Sequence, residues 1–272
     1  MSKRSYERRI RAKREAERVA RKRAERMRKV RVWSSAAAAV AIAVVLLIVF
    51  LGGNDKKEPS ASPTASASAT PIAGCTVPVP EPTPNGKTFN KAPATTINKD
   101  KIYLATLQTS CGNIIIRMDP QQSPATVNNF VFLARQQFYD NTKFGRVQND
   151  PNFGLVQAGT QTGTISGGVD YTYQGETPKA GTKYGRGVVA MANSSGPSTN
   201  GSQFFIVVTS ADFLNQNPNY SILGKVEDPA SLATLDKIIQ AKGPPVQPGQ
   251  SLGVSPNPSI FILKVTVAEQ KR

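Results

Sequence analysis

The longest uniform hydrophobic segment of the chain lies near its start. The nineteen residues 33–51 carry no charge, and residues 36–51 are all apolar. At a rise of about 1.5 Å per residue, a helix of this length spans roughly 30 Å, which matches the hydrocarbon core of a bilayer. The pattern predicts a single transmembrane helix over residues 33–52.

From residue 103 onward, short runs of apolar and polar residues replace this pattern. The runs at 103–109 and 113–118 are separated by Ser110-Cys111-Gly112, which predicts a β-hairpin. Further strands are predicted at 143–147, 155–158, 188–192, 203–208, 221–226 and 260–267.

Two helices interrupt the predicted strands. Ser123 or Thr126 can cap the first helix, which continues to about Gln137. Its apolar face consists of Val127, Phe130, Val131 and Ala134. The second helix fits residues 231–240. Many short strands with only two helices predict a mainly β domain, a closed and mostly antiparallel β-barrel capped by two helices.

The segment 53–100, between the predicted membrane helix and the predicted domain, is rich in Pro, Ser, Thr and Ala. Residues 54–98 hold eight prolines, and residues 60–70 alternate among Ser, Ala and Thr. Such a composition buries too little apolar surface to fold. We therefore expect a disordered tether that holds a folded domain, residues 101–269, away from the membrane.

Charge is distributed unevenly along the chain. Residues 1–32 contain fifteen Lys or Arg and four Glu, a net charge of +11 out of the total of +16. The basic character therefore belongs to a tail, and we expect no specific nucleic-acid partner for the main body. For the tail itself, a solvated and partly helical segment and a segment that binds anionic lipid headgroups or RNA are both open.

The same charge distribution predicts the orientation in the membrane. Fifteen cations precede the predicted membrane helix, and Lys56 and Lys57 follow it. By the positive-inside rule, residues 1–32 are cytoplasmic and the C-terminal domain is extracytoplasmic. A cleaved signal peptide is the alternative, although the basic segment is long and residues 51–55 offer no clear small-x-small cleavage site.

Histidine is absent from the chain, and there are only two cysteines. These counts exclude Ser-His-Asp and Cys-His nucleophile systems, histidine-based zinc or haem sites and a four-thiolate metal site. No cofactor and no metal are expected. A reaction that needs neither a nucleophile nor a metal is therefore favoured.

Cys75 lies in the predicted tether and Cys111 at the edge of the predicted domain. In the predicted extracytoplasmic location both face an oxidising compartment, which favours a disulfide bond between them over two free thiols.

Residues 191–206 combine many turn formers with amides and an aromatic pair. Residues 193–201 are predicted to form an exposed connection between two apolar strands. Amides can pair with backbone groups and rings can hold an apolar side chain, so such a loop suits an extended peptide ligand. A decorated hairpin without a ligand is the alternative.

Five blocks of sequence form one ordered set: SPATVNNFVFLA (123–134), YDNTKFGRV (139–147), LVQAGT (155–160), MANSSGPSTNGSQFFIV (191–207) and ILGKV (222–226). With these blocks the chain resembles the cyclophilin family of peptidyl-prolyl cis-trans isomerases over about residues 102–268. The block at 191–207 is the strongest motif. The resemblance implies an eight-stranded barrel capped by two helices, with a proline-binding groove on its outer surface.

The resemblance also implies roles for individual residues. The resemblance implies three catalytic residues: Arg146 is similar to the family's catalytic arginine, Gln157 to its groove glutamine and Phe205 to the floor of its proline pocket. The remaining substrate-binding candidates are Ala192, Asn193 and Gln203 for the substrate backbone, and Leu155, Phe213, Leu214 and Tyr220 for the pocket.

Three departures from the family pattern concern the pocket wall. Tyr220 stands where the family usually has His, and Gly145 precedes Arg146 where His is common. The pocket phenylalanine of the family is either displaced by one residue, to Phe153, or lost.

The reaction that the resemblance implies needs no covalent step. A guanidinium can donate to the prolyl nitrogen of the twisted X–Pro amide while an apolar pocket fixes the ring. We expect a monomeric, membrane-anchored isomerase that acts on proline-containing segments of exported or cell-envelope proteins. A proline-binding or chaperone module with weak or no turnover, and a nucleic-acid-binding anchor that acts through residues 3–31, are the alternatives.

Overall fold

The computed structural model describes residues 71–150, 153–241 and 255–272, all within one compact unit, Ala67–Arg272. The predicted basic tail and transmembrane helix, residues 1–52, lie outside the described residues. Among the helices that are described, none has the length and apolar composition needed to cross a membrane.

The described residues form a nine-stranded antiparallel sheet with two α-helices. In chain order the elements are β1 Lys101–Thr109, β2 Gly112–Met118, α1 Pro124–Arg135, β3 Thr142–Lys143, β4 Arg146–Gln148, β5 Leu155–Ala158, β6 Val188–Met191, β7 Phe204–Val207, β8 Ile222–Lys225, α2 Pro229–Ile238 and β9 Phe261–Lys271. The strands are ordered β3-β9-β1-β2-β8-β6-β7-β5-β4 across the sheet. The mainly β fold with two helices and the β1–β2 hairpin are confirmed.

The prediction of a closed eight-stranded barrel is wrong, because the sheet has nine strands and its edge strands β3 and β4 do not pair. The predicted strand 143–147 is split between the two edges. Its first part pairs with β9, and the Phe144 N–H donates to the Ile260 carbonyl. The next residue, Gly145, donates instead to the Gln157 carbonyl of β5. The two edges are therefore joined by one continuous segment of chain and not by a ladder between β3 and β4.

The apolar face predicted for α1 lies in the main core. Val127, Phe130 and Val131 are fully buried there. The helix begins at Pro124, where the missing N–H costs nothing. Ser123 makes no side-chain cap. Instead, the Glu176 carboxylate accepts hydrogen bonds from the first-turn amides of Ala125 (2.6 Å) and Thr126 (3.2 Å). This places negative charge at the positive end of the helix dipole.

The second helix, α2, begins two residues earlier than its predicted range. Asp228 caps it by accepting a hydrogen bond from the Ser231 amide over 2.8 Å.

Residues 71–98, which we call the arm, have neither helix nor strand but pack on the domain. The Phe89 ring meets Phe132 edge-on, with ring centres 5.3 Å apart, and Ile72 and Ile97 also pack on the main core. Cys75 is disulfide-bonded to Cys111 in the β1–β2 turn, as the sequence predicts. This part of the predicted free tether is therefore attached to the domain. Composition alone missed the attachment because a few scattered apolar residues provide it.

Candidate active site

The three residues predicted to be catalytic lie in one row across neighbouring strands. In the ladders, Arg146 of β4 is opposite Gln157 of β5, and Gln157 is opposite Phe205 of β7. Directly opposed residues on paired strands project from the same face of a sheet. The three side chains therefore share the outer face.

Phe204 and Phe205 point to opposite sides of β7, as strand alternation requires. Phe204 is in the main core with α1, whereas Phe205 belongs to a second apolar cluster with Leu155 and Tyr184. Phe205 therefore lies on the side of the sheet that carries Gln157 and Arg146. Phe205 is nevertheless only 4% exposed, because other side chains cover it.

A cavity of about 330 Å³ opens above this second cluster. It brings together nine of the ten predicted catalytic and substrate-binding residues: Arg146, Leu155, Gln157, Ala192, Asn193, Phe205, Phe213, Leu214 and Tyr220. The tenth, Gln203, lines a neighbouring cavity of about 310 Å³, which shares Gln157, Ala192 and Asn193 with the first. We call the two cavities together the groove.

Phe153 is part of the wall of the 330 Å³ cavity, so the pocket phenylalanine is displaced and not lost. Its ring lies edge-on to Phe213, with centres 4.5 Å apart. A Cβ on Gly154 would come within 2.1 Å of the Thr209 hydroxyl, which leaves no room for a side chain at that position. The aromatic ring is therefore supplied from position 153.

Tyr220 also lines the 330 Å³ cavity. Its ring packs edge-on against Phe205, with centres 5.3 Å apart. The Tyr184 hydroxyl holds the Tyr220 backbone by donating to its carbonyl (2.8 Å) and accepting from its amide (3.0 Å). Burial raises the pKa of Tyr184, so this hydroxyl keeps its proton.

Arg146 is half-buried and its guanidinium carbon lies 5.8 Å from the centre of the Phe153 ring. Within the described residues, its buried Nε has no hydrogen-bond partner. Burial lowers the pKa of Arg146, an effect that the nearby Tyr220 opposes. An arginine remains charged at neutral pH, so a half-buried cation lines the cavity.

The amides around the groove are largely held by the protein. Gln157 donates to the Gln203 side-chain oxygen over 2.9 Å, and Gln203 donates to the Gly167 carbonyl over 2.8 Å. The Asn193 side chain donates to the Asn219 carbonyl and accepts from the Gly196 amide. These bonds fix the shape of the loop that follows β6. Both polar groups of the Asn193 side chain therefore already have protein partners.

Sequence reasoning missed Ile165, which lines both cavities and is 42% exposed. It is an isolated apolar residue among Thr, Gly and Ser, so it carries no periodic signal. The adjacent Thr164 explains Gly145, since a Cβ there would come within 2.5 Å of the Thr164 carbonyl oxygen. The residue before Arg146 therefore cannot carry a side chain unless this loop moves. The described residues include no group of three or more His, Cys, Asp or Glu that could hold a metal ion.

Comparison with known proteins agrees with this geometry. The family model described as cyclophilin type peptidyl-prolyl cis-trans isomerase/CLD matches residues 104–267. The probable peptidyl-prolyl cis-trans isomerase B of Mycobacterium leprae is 39% identical over 150 residues, which are 51% of this chain and 48% of that protein. This chain therefore spans about half the length of that relative. A peptidyl-prolyl cis-trans isomerase of Helicobacter pylori is 36% identical over 140 residues, 52% of this chain and 83% of that protein.

Among solved structures, a cyclophilin-type peptidyl-prolyl cis-trans isomerase of Cryptosporidium parvum matches with a TM-score of 0.50 and 26% identity, over 62% of this chain and 99% of that one. The same protein in the presence of the dipeptide Ala-Pro matches with a TM-score of 0.50 and 27% identity, over 61% of this chain and 99% of that one.

Proposed function

This chain belongs to the cyclophilin-type peptidyl-prolyl cis-trans isomerase family, and from that premise we propose that its groove catalyses rotation about X–Pro peptide bonds, with Arg146 as the catalytic residue. The observation that carries the proposal is the half-buried side chain of Arg146, a cation that lines the same cavity as Phe205, Leu155 and Leu214.

Rotation about an X–Pro bond breaks amide resonance, with a barrier of about 18–20 kcal/mol. In the twisted state the prolyl nitrogen regains its lone pair and becomes a hydrogen-bond acceptor, which it is not in the planar amide. A donor held beside that nitrogen therefore stabilises the twisted state more than the planar one. Arg146 supplies such a donor, and every 1.4 kcal/mol or so of this preference accelerates the reaction about tenfold.

The apolar side chains of the cavity fix the proline ring. Phe205 forms the floor, while Leu155, Leu214 and Tyr220 surround it. A ring that is held on all sides cannot follow the rotation, so the residues before the proline turn instead. Exclusion of water from this pocket strengthens the interaction between the guanidinium and the prolyl nitrogen.

The polar side of the groove holds the substrate backbone. Gln157 and Gln203 are already fixed by their mutual hydrogen bond, so they lose little freedom when a peptide binds. This pre-organisation is suited to an extended peptide whose proline occupies the apolar cavity.

The test is an NMR exchange measurement on a blocked Ala-Ala-Pro-Phe peptide with a substoichiometric amount of the full chain in detergent. The expected result is cis–trans exchange many times faster than the uncatalysed isomerisation, which takes about tens to hundreds of seconds. If the peptide binds and its exchange stays at the uncatalysed rate, the groove is a proline-binding module and the enzyme proposal is wrong.

We further propose that the chain is anchored in the cell membrane by residues 33–52, with the isomerase domain outside, and that it assists the folding of exported proteins. Two observations support this location: the uncharged segment that follows fifteen cations, and the Cys75–Cys111 disulfide, a bond that persists in oxidising compartments.

The location is tested by adding a protease to intact cells that produce the full chain. Loss of residues 101–269 from the cell fraction is expected. A domain that remains protected until the cells are lysed contradicts the proposed orientation.

A further inference from the structure

Residues 160–170, which we call the groove loop, connect β5 to the segment before β6 and contribute to both cavities. Ile165 lines both of them, and Gly167 accepts the hydrogen bond that orients Gln203. The geometry of the groove therefore depends on where this loop lies.

The arm holds the groove loop near both ends. At the first end, the Gly86 amide donates to the Gln161 side-chain oxygen over 3.1 Å. At the second end, the Asp170 amide donates to the Phe89 carbonyl over 2.8 Å. Only two residues of the arm separate these attachment points, so residues 86–89 bridge the two ends of the loop.

The arm is itself fixed to rigid parts of the domain. The Phe89 ring packs between Phe132 and Phe138, with ring centres 5.3 and 6.1 Å away. The Asn128 side chain of α1 binds the arm twice, by donating to the Ala94 carbonyl and accepting from the Thr96 amide. The connection therefore runs from the helix through the arm to the groove loop.

We propose that the arm is a positioning element of the groove: through Gly86 and Phe89 it keeps the groove loop in the position that orients Gln203 and presents Ile165 to the substrate. The kinetic part of this inference rests on the proposed isomerase function. Its structural part, that the arm holds the loop, does not.

The experiment uses two full-length variants that release the loop by different routes. Gln161→Met removes the acceptor for the Gly86 amide and also the donor to the Phe138 carbonyl, while keeping a side chain of similar length. Gln161→Glu keeps the acceptor and loses only that donor, so the difference between these two variants reports on the contact with the arm. Phe89→Ala removes the ring that anchors the second attachment point. Lys87→Ala is the matched control, because the Lys87 side chain binds the Gln136 carbonyl at the end of α1 and not the groove loop. Phe89→Leu, which retains apolar packing, is the rescue variant.

Two readouts are measured on each variant. Hydrogen–deuterium exchange of residues 160–170 reports on the loop, and KM and kcat for the blocked Ala-Ala-Pro-Phe peptide report on the groove. We expect both releasing variants to exchange faster in the groove loop. We also expect KM to rise about fivefold, the loss expected from one supporting hydrogen bond, with kcat changed less than about twofold. Lys87→Ala should match the wild type, and Phe89→Leu should lie between the wild type and Phe89→Ala.

The proposal is overturned if loop exchange in both releasing variants equals that of Lys87→Ala, or if exchange rises while KM stays unchanged. If Phe89→Ala fails to fold, Gln161→Met decides by the same two criteria. If the wild type binds the peptide without turning it over, the enzyme proposal fails separately, and the peptide Kd replaces KM as the second readout.

Discussion

The side-chain nitrogen of Gln157 donates a hydrogen bond to the side-chain oxygen of Gln203 over 2.9 Å. Gln157 is also directly opposite Arg146 in the β4–β5 ladder. The pair therefore joins the guanidinium side of the groove to the loop carbonyls that orient Gln203. The residue assigned to the substrate backbone is therefore hydrogen-bonded to the strand that pairs with the strand of Arg146.

Replacing Gln203 with Ala removes this connection. Because Gln203 is assigned to the substrate backbone and not to the twisted bond, we expect KM to rise about five- to tenfold while kcat falls less. Gln108→Ala, at an exposed position on β1, is the control and should leave both constants unchanged. Steady-state kinetics measure KM and kcat for both variants. If Gln203→Ala lowers kcat and leaves KM unchanged, the assignment of Gln203 to the substrate backbone is wrong.

The neighbouring residues Phe204 and Phe205 provide a matched pair on opposite faces of β7. Phe205→Leu opens the floor of the proline pocket, so kcat/KM should fall about tenfold. Because Phe205 is also buried in the second cluster, the free energy of unfolding should fall by about 1 kcal/mol. Phe204→Leu leaves a void in the main core, and we expect it to lower the free energy of unfolding by about 1–2 kcal/mol while largely sparing kcat/KM. Denaturant unfolding and kinetics are measured on both variants. Identical profiles would mean that Phe205 is only a core residue.

The ion pair between Asp119 and Arg272 makes stability depend on acid pH. Hydrogen bonds from Arg272 hold the pKa of Asp119 below its ordinary value of 3.8, although partial burial opposes this. Because the folded-state pKa is the lower one, the pair stabilises the fold above the unfolded-state pKa. That contribution is lost as the pH falls through the folded-state pKa.

Asp119→Asn should therefore be less stable than the wild type at pH 7, and the difference should shrink as the pH falls below the ordinary aspartate value and through the lowered folded-state pKa. Arg272→Gln should show the same pH dependence. Urea unfolding from pH 7 to pH 2 measures it, and a difference that is constant over this range contradicts the assignment.

The disulfide closes a loop across 36 positions of the chain. In the chain-entropy model its removal costs about 3–4 kcal/mol of unfolding free energy. We expect the double variant Cys75→Ser, Cys111→Ser to show this loss in denaturant unfolding, and addition of a reductant to the wild type to reproduce it. If the double variant is as stable as the oxidised wild type, the bond contributes nothing to the fold.

The parts of the structure that sequence predicted best are those with local signals. The β1–β2 hairpin follows from alternating residues around a turn. Arg146, Gln157 and Phe205 were predicted from their fixed positions within sequence motifs, and the structure places them in one row. The displaced ring at Phe153 could be suspected from the same offsets. Only the packing against Phe213 shows that it still lines the pocket.

The parts that sequence could not provide depend on distant partners. The split of the predicted strand 143–147 is set by hydrogen bonds to Ile260 and Gln157, which no local pattern encodes. The cap of α1 comes from Glu176, some fifty residues further along the chain. The proline content of the arm indicated a free tether, whereas Phe89, a few other apolar residues and the Cys75–Cys111 bond attach it to the domain.

The central claim is that Arg146 stabilises the twisted X–Pro bond. Arg146→Ala should lower kcat about 100-fold or more, as expected for a lost preorganised donor, while Kd for the blocked Ala-Ala-Pro-Phe peptide changes less than about threefold. Arg146→Lys should recover only part of the activity, because an ammonium lacks the planar set of donors. Arg135→Ala, which removes an exposed arginine paired with Glu269, is the control and should retain full activity.

The most direct measurement is NMR exchange on that peptide with wild-type, Arg146→Ala and Arg135→Ala chains at equal peptide occupancy. The account predicts acceleration by the wild type and by Arg135→Ala, and near-uncatalysed exchange with Arg146→Ala. Acceleration by Arg146→Ala within twofold of the wild type would contradict it.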